Sequence, residues 1–378
     1  MQTANEAIEV ARCSRDEYFD RSEGRGGPTL RRSLLNLSKI AMTLSVLVAA
    51  ASGSVKAEEQ EQPREFLKCI SQCSDRRPPT GFPAMKRPSG PGHTREGLVD
   101  MMYTVAADGS TKDLRLVSVY GPEVYAETAM KEMANTHHVP ATEGGQPIDF
   151  HGFETVNTYY RQGERIPPEY SKGLDLIEAG HEDAALEVFD GIATSSDASL
   201  RGRFMAAYQA ATVYLEKNDL DQSLYYARIA TMSEGRLLLK EAISKALHVK
   251  LLAAAQSGQY ADALGTYDLI KKYQIATSQD TKLAGELEAR IADTKPVEVR
   301  GWVHDDSLGG AWRHELFRRK FEFYKINGKL DHFELYCNGR ELRSAIEETS
   351  AWVIPPSWSQ CEIFVFGDAG ATFQFYEQ

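Results

Sequence analysis

Histidines, cysteines and paired carboxylates are the side chains through which this sequence could do chemistry, and few of them stand together. His137-His138 with His151 offers imidazoles, and neutral imidazole is a good metal ligand. The first two are adjacent at a helix end, where neighbouring side chains diverge, so they read as surface histidines near a turn. His304-Asp305-Asp306 with His314-Glu315 offers similar donors and supports a metal-dependent hydrolase only as a distant third reading. Glu347-Glu348 lies in a polar stretch and reads as solvated. The chain has no nucleophile elbow, no phosphate-cradling glycine loop and no His-Glu-x-x-His. No catalytic, cofactor-binding or metal-ligating residue is therefore assigned, no cofactor is expected, and the reading is a non-enzyme.

The five cysteines depend on the compartment. Residues 1–57 hold a polar lead, the basic residues Arg31, Arg32 and Lys39, an apolar run from Ile40 to Ala51, and Val55-Lys56-Ala57. Basic region, short apolar core and small-residue cleavage site make a secretory signal. The run is short for a membrane span of roughly 20 residues; an uncleaved anchor over 40–55 is the alternative. Cleavage after Ala57 leaves Cys69, Cys73, Cys337 and Cys361, an even number in an oxidising compartment, which predicts disulfides. Locality pairs Cys69 with Cys73 and Cys337 with Cys361.

The elements that must carry these residues change character along the 378-residue chain. Its 26% charged and 42% hydrophobic composition is that of a globular protein, and its net charge of −11 argues against nucleic-acid binding. Residues 58–95 are rich in proline and charge and read as an extended connector. Residues 96–160 read as strand, strand, helix, strand. Val99, Met101, Tyr103 and Val105 share one face of a period-two run. Asp108-Gly109 is a hairpin signal, and Leu114, Leu116 and Tyr120 continue one face of the next strand, with Val117 and Val119 on the other. Gly121-Pro122 starts a helix whose Tyr125, Ala129 and Met133 form a stripe. Glu143-Gly144-Gly145 turns into a third strand, Ile148 to Tyr160.

The strand ending in Val105 before Asp108-Gly109, the small-residue helix, Val139-Pro140-Ala141 and Gly145-Gln146-Pro147 together resemble the C-terminal domain of TonB-type energy transducers. The resemblance covers residues 96–160. It implies a three-stranded sheet with one helix that binds partner proteins by strand pairing at a sheet edge.

Residues 168–294 turn to alanine-rich helical periodicity with a repeat near 40 residues. Gly173, Leu176, Gly180, Ala185 and Phe189 recur as Ala211, Tyr214, Asn218, Ser223 and Ala230, then as Ala254, Gly258, Ala263 and Tyr267. The turns fall at 179–181, 217–219 and 257–259. This pattern resembles divergent tetratricopeptide repeats, which implies a groove suited to a peptide or protein. Phe189 and Tyr267 are expected to lie buried between helices. Residues 297–378 read as short strands in a sandwich or rolled sheet, with Ile326-Asn327-Gly328-Lys329 as a tight hairpin.

The fold class expected is multidomain α+β: a small three-stranded sheet plus helix, then helical repeats, then an all-β segment. The function expected is an exported periplasmic adaptor binding protein partners in the cell envelope, by strand addition at the sheet and by peptide capture in the helical groove. The alternative is a divergent transducer anchored in the inner membrane through residues 40–55 and serving outer-membrane transport.

Overall fold

The structure is a computed structural model that describes residues 76–81, 96–159, 166–195, 197–232, 240–304, 311–347 and 351–378. The expected signal run, Cys69, Cys73, Asp305, Asp306 and Glu348 lie outside these residues. Mixed α/β architecture is observed, with eight helices among the described residues: one within the first sheet module and seven in the middle of the chain, before the C-terminal strands.

The first module comprises β1 (Gly97–Val105), β2 (Thr111–Tyr120), α1 (Glu123–Ala134), β3 (Ala141–Glu143), β4 (Gln146–Ile148) and β5 (Phe150–Tyr159). β1 is the centre of an antiparallel sheet ordered β2-β1-β5. Val99, Met101, Tyr103 and Val105 pack against Tyr125, Ala129 and Met133 of α1, so the four-residue stripe covers the expected sheet face. Three details depart from the sequence reading. First, Ile148 closes a small β3–β4 hairpin around Gly144 and Gly145, both left-handed, and the third strand begins only at Phe150. Second, Asp100 pairs with Ser118 and Met101 with Leu116, which leaves Val117 as an extra bulge residue. The bulge exchanges the faces beyond it: Val119 joins Leu114 and Leu116 on the α1 side, and Tyr120 packs edge-on to Phe204 in the helical core. Third, β1 is buried on both faces, Leu98, Asp100, Met102 and Thr104 included. Of the expected connector, residues 76–81 are not free chain. Arg77 bridges to Thr142, Thr80 to Val139, and Pro79 is buried.

Seven helices follow: α2 (Glu169–Glu178), α3 (Glu182–Thr194), α4 (Leu200–Glu216), α5 (Leu220–Thr231), α6 (Lys240–Gln256), α7 (Tyr260–Lys272) and α8 (Ser278–Ala292). The turns at 179–181, 217–219 and 257–259 join α2 to α3, α4 to α5 and α6 to α7. Gly180, Asn218 and Gly258 take the left-handed conformation there. After each, the next amide donates to a carbonyl five residues back: His181 to Leu176, Asp219 to Tyr214 and Gln259 to Ala254. This bond closes the helix end, and only glycine or asparagine adopts the required backbone cheaply. Small residues five positions on, Ala185, Ser223 and Ala263, are fully buried where paired helices touch. Phe189 and Tyr267 stand four further and are buried as expected. The corresponding residue of the second hairpin is Ala227, not Ala230, so the large side chain is missing there. α8 begins with a capping box between Thr277 and Asp280.

The last segment holds β6 (Val297–Trp302), β7 (Ala311–Glu315), β8 (Lys320–Asn327), β9 (Leu330–Cys337), β10 (Arg340–Ala345), β11 (Ala351–Val353), β12 (Cys361–Gly367) and β13 (Thr372–Glu377). They form two four-stranded sheets, β10-β9-β12-β7 and β11-β8-β13-β6, around a core of Phe321, Phe323, Phe333, Phe373, Phe375 and Trp312. The turn at Asn327-Gly328 exists, with Gly328 left-handed, but it is not a hairpin. β8 and β9 belong to opposite sheets, because Phe321 and Phe323 face Phe333 across the core instead of beside it. Cys361, Ile363 and Val365 lie directly opposite Cys337, Leu335 and Phe333, and the two cysteines are disulfide-bonded. Closing a 24-residue separation in the unfolded chain makes this bond worth roughly 3 kcal/mol. Urea titration of the Cys337→Ala/Cys361→Ala double variant against wild type is expected to show that loss; a difference under about 1 kcal/mol would contradict it.

The described segments belong to one compact unit. Glu96 accepts from the Leu200 amide at 2.8 Å, so a residue just before β1 satisfies the start of α4. The Arg318 guanidinium donates to the carbonyls of Asp293 and Lys295 just beyond the end of α8 and to that of Glu377 on β13. Among the described residues no helix is long and apolar enough to cross a membrane.

Candidate functional site

The second face of β1 explains where polar chemistry collects. Met102 pairs with Arg115 and Glu154, and Asp100 with Ser118 and Val156, so these residues share the face turned away from α1. Opposite them stands the outer face of the β9-β12-β7 sheet. Its pairs are Glu362 with Glu315, Phe364 with Arg313 and Phe366 with Ala311 on β12 and β7. α5, α6 and α7 contribute Tyr225, Arg228, Lys250 and Asp262. Between the two sheets and these helices lies a cavity of about 620 Å³.

Charge is arranged in two linked groups. Arg313 donates to both oxygens of Glu154, at 2.8 and 2.7 Å, and also to Glu362. Its ring-like plane lies 5.3 Å from the Phe364 centroid. A bidentate guanidinium between two carboxylates is the geometry in which arginine binds most strongly. Asp262 takes Lys250 at 2.9 Å and Arg228 at 2.8 Å; Arg228 also donates to Gln259 at 2.6 Å and to the Arg313 carbonyl at 3.3 Å. Arg115 is held by Glu334 and by the Tyr336 hydroxyl, over the Phe366 ring. Each cation lining the cavity is thus already bound to a carboxylate.

The carboxyls divide accordingly. Burial pushes Glu154 up, but Arg313 outweighs it and holds the group below its usual range. Burial likewise opposes Asp262, and Lys250 with Arg228 prevails, so it stays ionised. Burial and then the nearby Glu154 push Asp100 well above its usual range, and it shares a hydrogen bond with Glu154. Burial raises Glu362 despite Arg313. Glu315 is exposed to the cavity; crowding by protein, and then Asp262 and Glu362, push it up to about 7. Its carboxyl is wetted by the cavity and has no hydrogen-bond or ion-pair partner among the described residues. At the rim His304 stacks on Tyr225, 4.1 Å between centroids, with Trp302 beside it at 3.9 Å. Burial, and Arg228 after it, depress His304 to about 3, so it is neutral at physiological pH.

Among the described residues no three potential metal ligands converge; Asp305 and Asp306 lie outside them. His138 is buried and stacked on Tyr103, while His151 bonds Thr104 and Glu341. His314 and Glu315 are adjacent on β7 and therefore point to opposite faces. His314 bonds Glu377 inside the sandwich, leaving Glu315 in the cavity. Asp100, Glu154, Arg228, Lys250, Asp262, Arg313 and Glu362 were missed. The available signal was Asp100, a carboxylate standing inside the otherwise largely apolar strand Gly97–Val105.

The cavity also touches β2 on both sides of its plane: Arg115, Ser118 and Tyr120 from the cavity face and Leu116 from the face toward α1. The inner edge of β2 is bonded to β1, and just before the strand Ser110 bridges to His137. Among the described residues no strand pairs with the outer edge of β2.

No protein-family model matches the chain, and no curated protein shows significant sequence similarity to it.

Proposed function

We propose that the protein is an exported interaction protein of the cell envelope that captures an extended segment of a partner protein along the outer edge of β2. The unpaired outer edge of β2, a strand that also lines a polar cavity, carries this reading. An exposed strand edge offers a row of unused amides and carbonyls to an incoming strand, and flanking pockets then select its side chains. The resemblance of residues 96–160 to the TonB C-terminal domain points to the same mode. Three helical hairpins with matching turns support a second protein contact, in the manner of tetratricopeptide repeats. The Cys337–Cys361 bond fits export to an oxidising compartment, the periplasm, after cleavage at Ala57.

Site-specific photocrosslinking tests the reading. A photoreactive residue replacing Lys112, exposed on β2, is expected to trap one discrete envelope protein in living cells. The same residue replacing Lys282, exposed on α8, should trap none. Equal labelling from both positions, or none from Lys112, would reject strand capture. A mature N-terminus at Glu58 is expected from the same preparation; a retained residue 40–55 segment would instead favour the anchored transducer.

A further inference from the structure

Glu315 is the charge that the cavity leaves unanswered. It stands directly across from Glu362 on neighbouring antiparallel strands, and like charges in that position repel. Arg313, two residues earlier on the same face, is diagonal to Glu362 and is taken by Glu362 and Glu154. Lys250 and Arg228 are taken by Asp262. Phe364, the partner of Arg313 on β12, is diagonal to Glu315, and Tyr225 lines the same cavity. An exposed carboxylate without a partner, in a partly aromatic cavity within the roughly 300–1,000 Å³ of ligand sites, offers the recognition chemistry of an organic cation.

We propose that this cavity is a binding site for an alkylammonium or guanidinium group, with Glu315 as its counter-ion, and that the group is a lysine or arginine side chain of the strand laid along β2. The peptide source rests on strand capture; the cation site does not. A side chain projecting from a strand on the outer edge of β2 enters the cavity that β2 lines. Its ammonium supplies the cation partner that Glu315 lacks. The neutral His304 at the rim opposes no cation.

The site has a pH dependence set by every group around Glu315. Asp262 and Lys250 face it from the helices, Glu362 and Arg313 from the sandwich, and Asp100 and Glu154 from the first sheet beyond Arg313. Asp262 and Glu154 remain ionised through neutrality, whereas Glu315 takes up a proton near pH 7. Cation binding therefore strengthens from pH 6 to pH 8.

The test uses the full mature protein and two probes, N-acetyl-lysine methylamide and its uncharged counterpart N-acetyl-norleucine methylamide, followed by NMR titration. The lysine probe is expected to bind about tenfold or more tightly than the norleucine probe at pH 8, with the preference shrinking at pH 6. Glu315→Gln should abolish the preference and its pH dependence. That variant removes a charge without a partner, so it is expected to fold, as its thermal melt would verify. Equal binding of the two probes, or an undiminished lysine preference in Glu315→Gln, overturns the proposal. The Lys112 crosslink separates the two readings. Lysine-probe selectivity without a crosslink leaves the cation site standing and rejects its peptide source. A crosslink with no selectivity rejects the cation site and leaves strand capture standing.

Discussion

Arg313→Met is expected to lower stability by about 2–3 kcal/mol at pH 8, less than for breaking a fully buried ion pair, because the Arg313 side chain is 35% exposed to the cavity. Methionine fills similar space, so the loss reports charge more than volume. Without the guanidinium, Glu154 and Glu362 face each other near Asp100 and Glu315 with no cation between them. The pH trend gives the stronger check. In wild type, Glu154 is held below its unfolded value by Arg313. That contribution is fully present above the unfolded carboxylate range and is lost only as pH falls through the lower folded value. In the variant, the same carboxyl is raised by burial and by its neighbours. It then binds a proton in the folded state more readily than in the unfolded one, and stability falls as pH rises. The gap between wild type and variant should accordingly widen from pH 5 to pH 8. Urea titrations at both pH values decide it: a loss under about 1 kcal/mol, or a gap that narrows with pH, would show that Arg313 is not the group holding these carboxylates.

The parts of the fold that could be read from the sequence are those set by local chemistry. Tyr125, Ala129 and Met133 form a stripe because helix geometry fixes it, and Gly180, Asn218 and Gly258 mark helix ends because few residues tolerate their backbone. Cys337 and Cys361, 24 positions apart, pair as their proximity in sequence suggests. What could not be read depends on which sheet face meets which. Val117 has nothing in its type to mark a bulge, yet the bulge turns Tyr120 from the α1 side to Phe204. Asn327-Gly328 has hairpin residues, but the aromatic core sends the following strand to the other sheet. The cavity is the extreme case. Its charged groups come from positions 100, 154, 228, 250, 262, 313, 315 and 362, and apart from Asp100 among its apolar strand neighbours each one alone reads as an ordinary polar position on a solvated face. Only packing of the first sheet against the sandwich turns them into a network.

Phe189→Ala is expected to cost about 3–5 kcal/mol, as a fully buried aromatic removed from between helices leaves a cavity. The contact that makes this a test of the repeat architecture is Gly173. A methyl group added there would lie 2.5 Å from the edge of the Phe189 ring, so the first hairpin brings a glycine of α2 against an aromatic of α3. Gly173→Ala alone faces two opposed effects. Helix propensity favours alanine by about 1 kcal/mol, while overpacking a rigid core ring costs about 1–3 kcal/mol. The single variant should therefore be neutral to destabilising by about 2 kcal/mol. In the Phe189→Ala background the ring is gone and the new methyl enters the space it left. Only the propensity gain then remains, with some filling of the cavity, and Gly173→Ala should become stabilising by about 1 kcal/mol. A double-mutant cycle measured by denaturant titration is expected to return a coupling of about 1–3 kcal/mol with that sign. Strict additivity would mean that glycine and phenylalanine do not share one contact. The spacing of Gly173, Gly180 and Phe189 would then lose its physical basis as a helical-hairpin signature, and with it the argument for a repeat-type groove in this segment.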